Sequence, residues 1–187
     1  MNQPHRLAPV LLGAVLAMGG LSQARAQASS EAAVRAALAR IEAVDRAIRA
    51  CLEKVGTSRG KIAALGVSGN LQGIVVLDKD NRVVRPTKMV GDFSAKRQAE
   101  EISRSFGGGP GMIELAGNPL AADSAAAQCL WLKQHEPYHF QRASAIMPIK
   151  DFINYWLTGE VATEPGIASG TGMFDVRNRS WSPDVCS

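Results

Sequence analysis

Apolar residues fall into short runs in the first half of the described pattern and into helical stripes in the second. Ile62–Val67 (IAALGV) is an apolar run too short for a helix, so it reads as a buried strand. A glycine-punctuated turn follows, Ser68–Gly73, and then a second apolar run, Ile74–Leu77, reads as a second strand. Asp78–Arg82 predicts a tight turn, with Asn81 able to take the left-handed conformation. Val83 and Val84 start a third short strand that Pro86 stops.

Helical periodicity governs much of the rest. Over residues 30–55, Val34, Leu38, Ile41, Ile48, Leu52 and Val55 recur at helical spacing, with Ser30 as N-cap and Gly56 as terminator. Glu42–Arg46 and Asp45–Arg49 are i,i+4 pairs on its wet face. Ser94–Ser105 predicts a polar helix, Gly107–Gly111 a linker, and Asp123–Gln134 an alanine-rich helix sending Leu130, Trp131 and Leu132 to the core. Ala145–Met147 reads as a strand. Lys150–Thr158 reads as a helix with Phe152, Ile153, Trp156 and Leu157 inward and Gly159 as its cap. Ser182-Pro183-Asp184 has the signature of a helix start, but too few residues follow it for a helix to form.

Residues 1–28 break this pattern. Arg6, the apolar run Leu7–Leu21 and two A-x-A patterns at residues 24–28 predict a cleaved secretory signal peptide, leaving 29–187 as one domain. The apolar run is short for a membrane span and holds Pro9 and three glycines, so no stable span is expected after cleavage. With 46% apolar and 20% charged residues the chain is globular. The formal charge of +4 falls to +2 without Arg6 and Arg25, and no basic patch is interleaved with aromatics, so nucleic acid is not an expected partner. Three cysteines at unrelated spacings (Cys51, Cys129, Cys186) form no metal or redox motif; two buried thiols and one near a loose C-terminus are expected. The sequence carries no signal of oligomeric state.

Three stretches carry candidate chemistry. The Gly69–Gly73 turn would place backbone amides and the side chains of Asn70 and Gln72 at one sheet edge, where a polar small molecule could bond. The same glycines equally serve an ordinary hairpin. His135-Glu-Pro-Tyr-His139 matches the zinc-protease spacing, but Pro137 breaks the helix that both imidazoles need, so the reading is a helix junction. The glycine run at 107–111 lacks the Gly-Lys-Ser/Thr ending of a phosphate loop.

A family resemblance emerges from Gly66-Val-Ser-Gly69, Gly73, Val75 and Leu77-Asp-Lys-Asp80. It continues through Glu114–Asn118, Leu130–Pro137, Met147–Asp151, Leu157–Glu160, Ala168–Thr171, Phe174–Arg177 and Trp181-Ser182. In this order the blocks resemble the N-terminal domain of FGGY-type carbohydrate kinases, the xylulokinase branch most of all. The resemblance implies an α/β fold: an incomplete ribonuclease-H-like (actin-like ATPase) domain, a mixed sheet with flanking helices. It implies ATP-dependent, magnesium-assisted phosphorylation of a pentulose such as D-xylulose, in a cytoplasmic enzyme.

Departures from the family pattern fall at its functional positions. A D-x-G-T-x-x-x-K phosphate turn would precede the helix of residues 30–55, and the leader stands in its place. Leu71 and Gln72 replace a methionine-histidine pair, and of a W-N-D-x-R run lining the sugar pocket only Asp92 survives, beside Val90, Gly91, Phe93 and Ser94. The resemblance makes Leu71, Gln72 and Asp92 the substrate-binding candidates. It implies a proton-accepting aspartate where Ile167 stands, so no catalytic residue, cofactor site or metal ligand is expected in this chain. The expectation is a truncated domain that is inactive alone and whose partner is a small sugar. Two alternatives stay open: a kinase completed by another chain, and an exported, non-enzymatic sugar- or protein-binding module, periplasmic or secreted by its leader.

Overall fold

The computed structural model describes residue 39 and residues 41–187. The leader and the first part of the amphipathic helix lie outside the described residues. That helix, α1, runs over residues 41–55, with Ile41, Ile48 and Leu52 half-buried as the stripe predicts, and passes into a 3-10 turn, Gly56–Lys61. Then come β1 (Val75–Leu77), a 3-10 turn (Phe93–Ala95) running into α2 (Lys96–Ser105), and α3 (Gly108–Ala116). Next are α4 (Ala125–His135), α5 (Pro137–Arg142), β2 (Ala145–Met147), α6 (Ile149–Thr158) and α7 (Pro165–Gly170). A small hairpin, β3 (Phe174–Asp175) and β4 (Ser180–Trp181), precedes α8 (Pro183–Cys186).

Everything is assembled on β1. Ile74, Val75, Val76 and Leu77 are 0–2% exposed. β2 pairs antiparallel with β1 on one side, with Val75 opposite Met147 and Leu77 opposite Ala145. On the other side the chain returns antiparallel through bridges Leu77–Val83 and Ile74–Lys88. The alternation of side chains along a strand then feeds two cores. Val75, Leu77, Val83 and Met147 meet Ile149, Phe152 and Tyr155, whereas Ile74, Val76 and Val84 meet Ala125, Leu132, Cys129 and Met173. A strand covered on both faces needs a continuous apolar run rather than alternation. The connecting turn forms as expected: Asn81 has φ 61°, and the Asp78 carboxylate accepts from the backbone N–H of Asp80 and Arg82.

Several expectations are corrected. Ile62–Val67 is not a buried strand: it forms no regular element, and Ile62 and Leu65 are 49% and 55% exposed. Among the described residues no strand lies beside it to take its backbone hydrogen bonds. The sheet is not mixed among the described residues: there are two separate two-stranded sheets, both antiparallel. Gly107–Gly111 is not a linker. Gly107 and Gly108 take positive φ and start α3, and a side chain at Gly111 would overlap the Phe106 carbonyl. On α4 Leu132 is buried but Leu130 and Trp131 only half so, the small Ala125–Ala127 face carrying the contact. On α6 Phe152 and Ile153 are half-buried, Trp156 and Leu157 are exposed, and Asp151 is the buried residue. The final turn does form, as α8, one turn closed by Cys186 N–H donating to the Ser182 carbonyl. Cys51 is exposed on α1, not buried.

Candidate functional site

The Gly69–Gly73 turn and the loop carrying Asp92 meet at the start of β1, and Asp123 joins them. Its backbone carbonyl accepts from Gly73 N–H at 3.2 Å, and its Oδ2 accepts from Gly91 N–H at 3.1 Å. Gly73 has φ 87°, and a Cβ there would overlap the carbonyl oxygen of Lys88, which itself accepts from Ile74 N–H. Only glycine lets the two segments approach this closely.

Beneath the loop sits a buried lysine. Lys88 Nζ lies 2.9 Å from Asp92 Oδ2 and 2.6 Å from Ser94 Oγ, and 3.9 Å above the Trp131 ring centroid. An ammonium out of water needs these partners. Asp92 Oδ1 accepts from Ser94 N–H at 3.0 Å, capping the 3-10 turn. Partial burial raises the Asp92 carboxyl pKa, but the hydrogen bonds from Ser94 and Lys88 and the Lys88 charge outweigh it and bring it to about 2.

Of the expected substrate-binding residues, Leu71 is 43% exposed and leans on α7, where a Cβ at Gly170 would stand 2.8 Å from its Cδ1. Gln72 is half-buried, and its Oε1 is shielded from water without a hydrogen-bond partner. Asp92 shares their edge through the Asp123 clasp, but its carboxylate already serves Lys88 and Ser94. Gly69 packs against the Lys150 side chain at the start of α6.

Ile167 is 6% exposed, within α7. Glu164, its nearest carboxylate in sequence, is occupied as the α7 cap, accepting from Gly166 N–H at 2.7 Å and Ile167 N–H at 2.9 Å. Those two bonds hold its carboxyl below the usual range. The histidine pair is split between two helices, with Glu136 at the junction. His135 stacks on Trp131 at 4.8 Å, whereas His139 Nδ1 bonds Glu136 Oε2 at 2.8 Å. Glu136 also takes Arg85 through both carboxylate oxygens, at 2.7 and 3.2 Å, so this cluster clamps the strand after the turn to α5.

Among the described residues, no group of three or more His, Cys, Asp or Glu side chains is placed to hold a metal ion. The glycine-rich run at 107–111 is used to start α3 against Phe106, with no lysine beside it.

Sequence reasoning missed Lys88 and Asp123. Lys88 had a faint signal, four residues before Asp92. Asp123 had none, because its bond to Gly91 spans 32 positions.

Comparison with known proteins shows the family. The FGGY family of carbohydrate kinases, N-terminal domain, matches residues 13–187. The chain belongs to that family. The match begins inside the apolar run of the leader-like stretch. The xylulose kinase of Haemophilus influenzae is 32% identical over 149 residues, covering 78% of this chain and 30% of that protein. The Escherichia coli xylulose kinase is 32% identical over 141 residues, covering 75% and 28%. Among solved structures, a xyloylose kinase from Brucella ovis superposes with a TM-score of 0.71 at 28% identity, covering 78% of this chain and 30% of that one. The chain thus spans under a third of the length of these FGGY relatives. No helix among the described residues is long and apolar enough to cross a membrane.

Proposed function

We propose that this chain is a sugar-holding part of a xylulokinase-like FGGY kinase. It binds a pentulose such as D-xylulose at the edge of Leu71, Gln72 and Asp92, and its own residues do not transfer phosphate from ATP. The observation that carries the binding half is the shielded, unpartnered Oε1 of Gln72 on the turn clasped to the Asp92 loop. A buried acceptor without a partner costs stability, and a sugar hydroxyl donating to it removes that cost. The Leu71 side chain offers an apolar neighbour for a sugar C–H face.

The inactive half rests on the state of the carboxylates at this edge. Asp92, with a pKa of about 2, is a poor proton acceptor at neutral pH, Glu164 is a cap, and an isoleucine stands at position 167. The alternative of an exported binding module is supported by the leader pattern alone. The family match reaching back to residue 13 favours the kinase-domain reading.

Titration of the chain with D-xylulose, followed by calorimetry or by amide chemical shifts, tests the binding half. Saturable binding with shifts at Gln72 and Gly91, weakened roughly tenfold by Gln72→Ala, is expected for one lost hydrogen bond. An unchanged affinity in Gln72→Ala, or no saturable binding, would remove the assignment.

A further inference from the structure

The groove between α4 and α8 is lined by none of Leu71, Gln72 and Asp92, and it holds two of the three cysteines. It encloses about 450 Å³ and is lined by Cys129, Leu130, Phe140, Met173, Val185 and Cys186, among others. Cys129 sits on α4 where that helix packs against the Ile74, Val76 and Val84 core. Cys186 reaches the same groove from the last turn. The turn is anchored at its first residue, the buried Ser182, whose N–H donates to the Met173 carbonyl at 2.8 Å. Met173 lines the groove too. The third cysteine, Cys51, is exposed on α1 and takes no part in the groove.

We propose that Cys129 and Cys186 are a disulfide-forming pair, a redox-dependent cross-link that fastens α8 onto α4. A disulfide needs two thiols that a small backbone movement can bring together, and α8 is a single four-residue turn held at Ser182. The cross-link would close a loop spanning the α5, β2, α6, α7 and β3–β4 elements.

The chemistry balances with a low-molecular-weight disulfide such as oxidised glutathione as oxidant. The more exposed Cys186, as thiolate, attacks one glutathione sulfur and releases a glutathione thiolate. Cys129 then loses its proton to solvent and attacks Cys186 Sγ, releasing the second glutathione. Two protein thiols are oxidised and one glutathione disulfide is reduced to two thiols. Burial, and then the neighbouring Cys186, push the Cys129 thiol up to about 12, and burial raises Cys186 as well. Formation is therefore slow near neutrality and speeds up as pH rises.

The test is incubation of the full chain with oxidised glutathione under native conditions, followed by intact-mass and peptide mapping. The expected result is loss of two hydrogens, one peptide pair joining Cys129 to Cys186, and titratable thiols falling from three to one. Cys51→Ser should keep the cross-link and Cys186→Ser should abolish it. A product that stops as a glutathione adduct on Cys186 with Cys129 still free would overturn the proposal. So would a cross-link that enlists Cys51. The mapping on the unsubstituted chain decides between these outcomes even where a variant folds poorly.

Discussion

Ile62–Val67 and Ile74–Leu77 are both short apolar runs that flank the same glycine-rich turn, yet they meet opposite fates. The second is walled in on all sides, by β2 at one edge, the returning Val83–Lys88 segment at the other, and side chains on both faces. The first has no ladder partner among the described residues and leaves Ile62 and Leu65 about half exposed. Composition therefore does not make a strand. A strand's backbone polar groups point alternately to its two edges and all need partners when buried, and only the run with neighbours on both edges becomes core.

The sharpest test of this contrast compares truncations of like residues. Leu77→Ala, at a fully buried position, should cost about 2–5 kcal/mol of unfolding free energy. Leu65→Ala should stay within about 0.5 kcal/mol. Chemical denaturation of both variants measures the difference. Equal losses would mean that residues 62–67 are packed in solution.

A smaller effect separates the two glycines that flank the turn region. Gly73 has φ 87° and no room for a Cβ beside the Lys88 carbonyl, whereas Gly66 has nothing within 4 Å. Gly73→Ala should destabilise by roughly 1–3 kcal/mol, and Gly66→Ala should be neutral or slightly stabilising. Amide shifts of Gly91 and Asp123 should move in the first variant only, because the clasp opens there.

The smallest effect is a pH dependence confined to the clasped side. The Asp92 carboxyl drops from its ordinary 3.8 to about 2 on folding. A group with a lowered folded pKa contributes stability that is present above its unfolded value. It is lost as pH falls, here from about 4 down through about 2. Asp92→Asn should be less stable at neutral pH, because Lys88 loses its charged partner, and should show a flatter decline over that acid range. Stability measured against pH in both proteins checks this.

How much was legible in the sequence follows the same division. The β1 run, the Asn81 turn, β2, α4 and α6 were readable because each depends on local pattern and capping. The exposure of residues 62–67 was not, because it depends on what lies alongside. The start of α3 was misread as a linker because its glycines serve a close approach to Phe106, a tertiary requirement. At the edge itself, Gln72 and Asp92 stood out through family pattern. The clasp through Asp123 spans 32 positions and no spacing rule points to it, while the buried Lys88–Asp92 pair left only its faint four-residue spacing.

The central claim is that this edge can hold a sugar but cannot, with the residues present, phosphorylate it. The direct measurement is sugar phosphate formed by the purified chain from ATP, magnesium and D-xylulose, alongside Ile167→Asp. No product above background is expected from either. A proton acceptor contributes about 10²–10⁴-fold only where a triphosphate is already positioned, and the glycine run at 107–111 is used to start α3 instead. Magnesium-dependent turnover by the chain, or its appearance in Ile167→Asp alone, would contradict the account, since these residues would then have to position the triphosphate themselves.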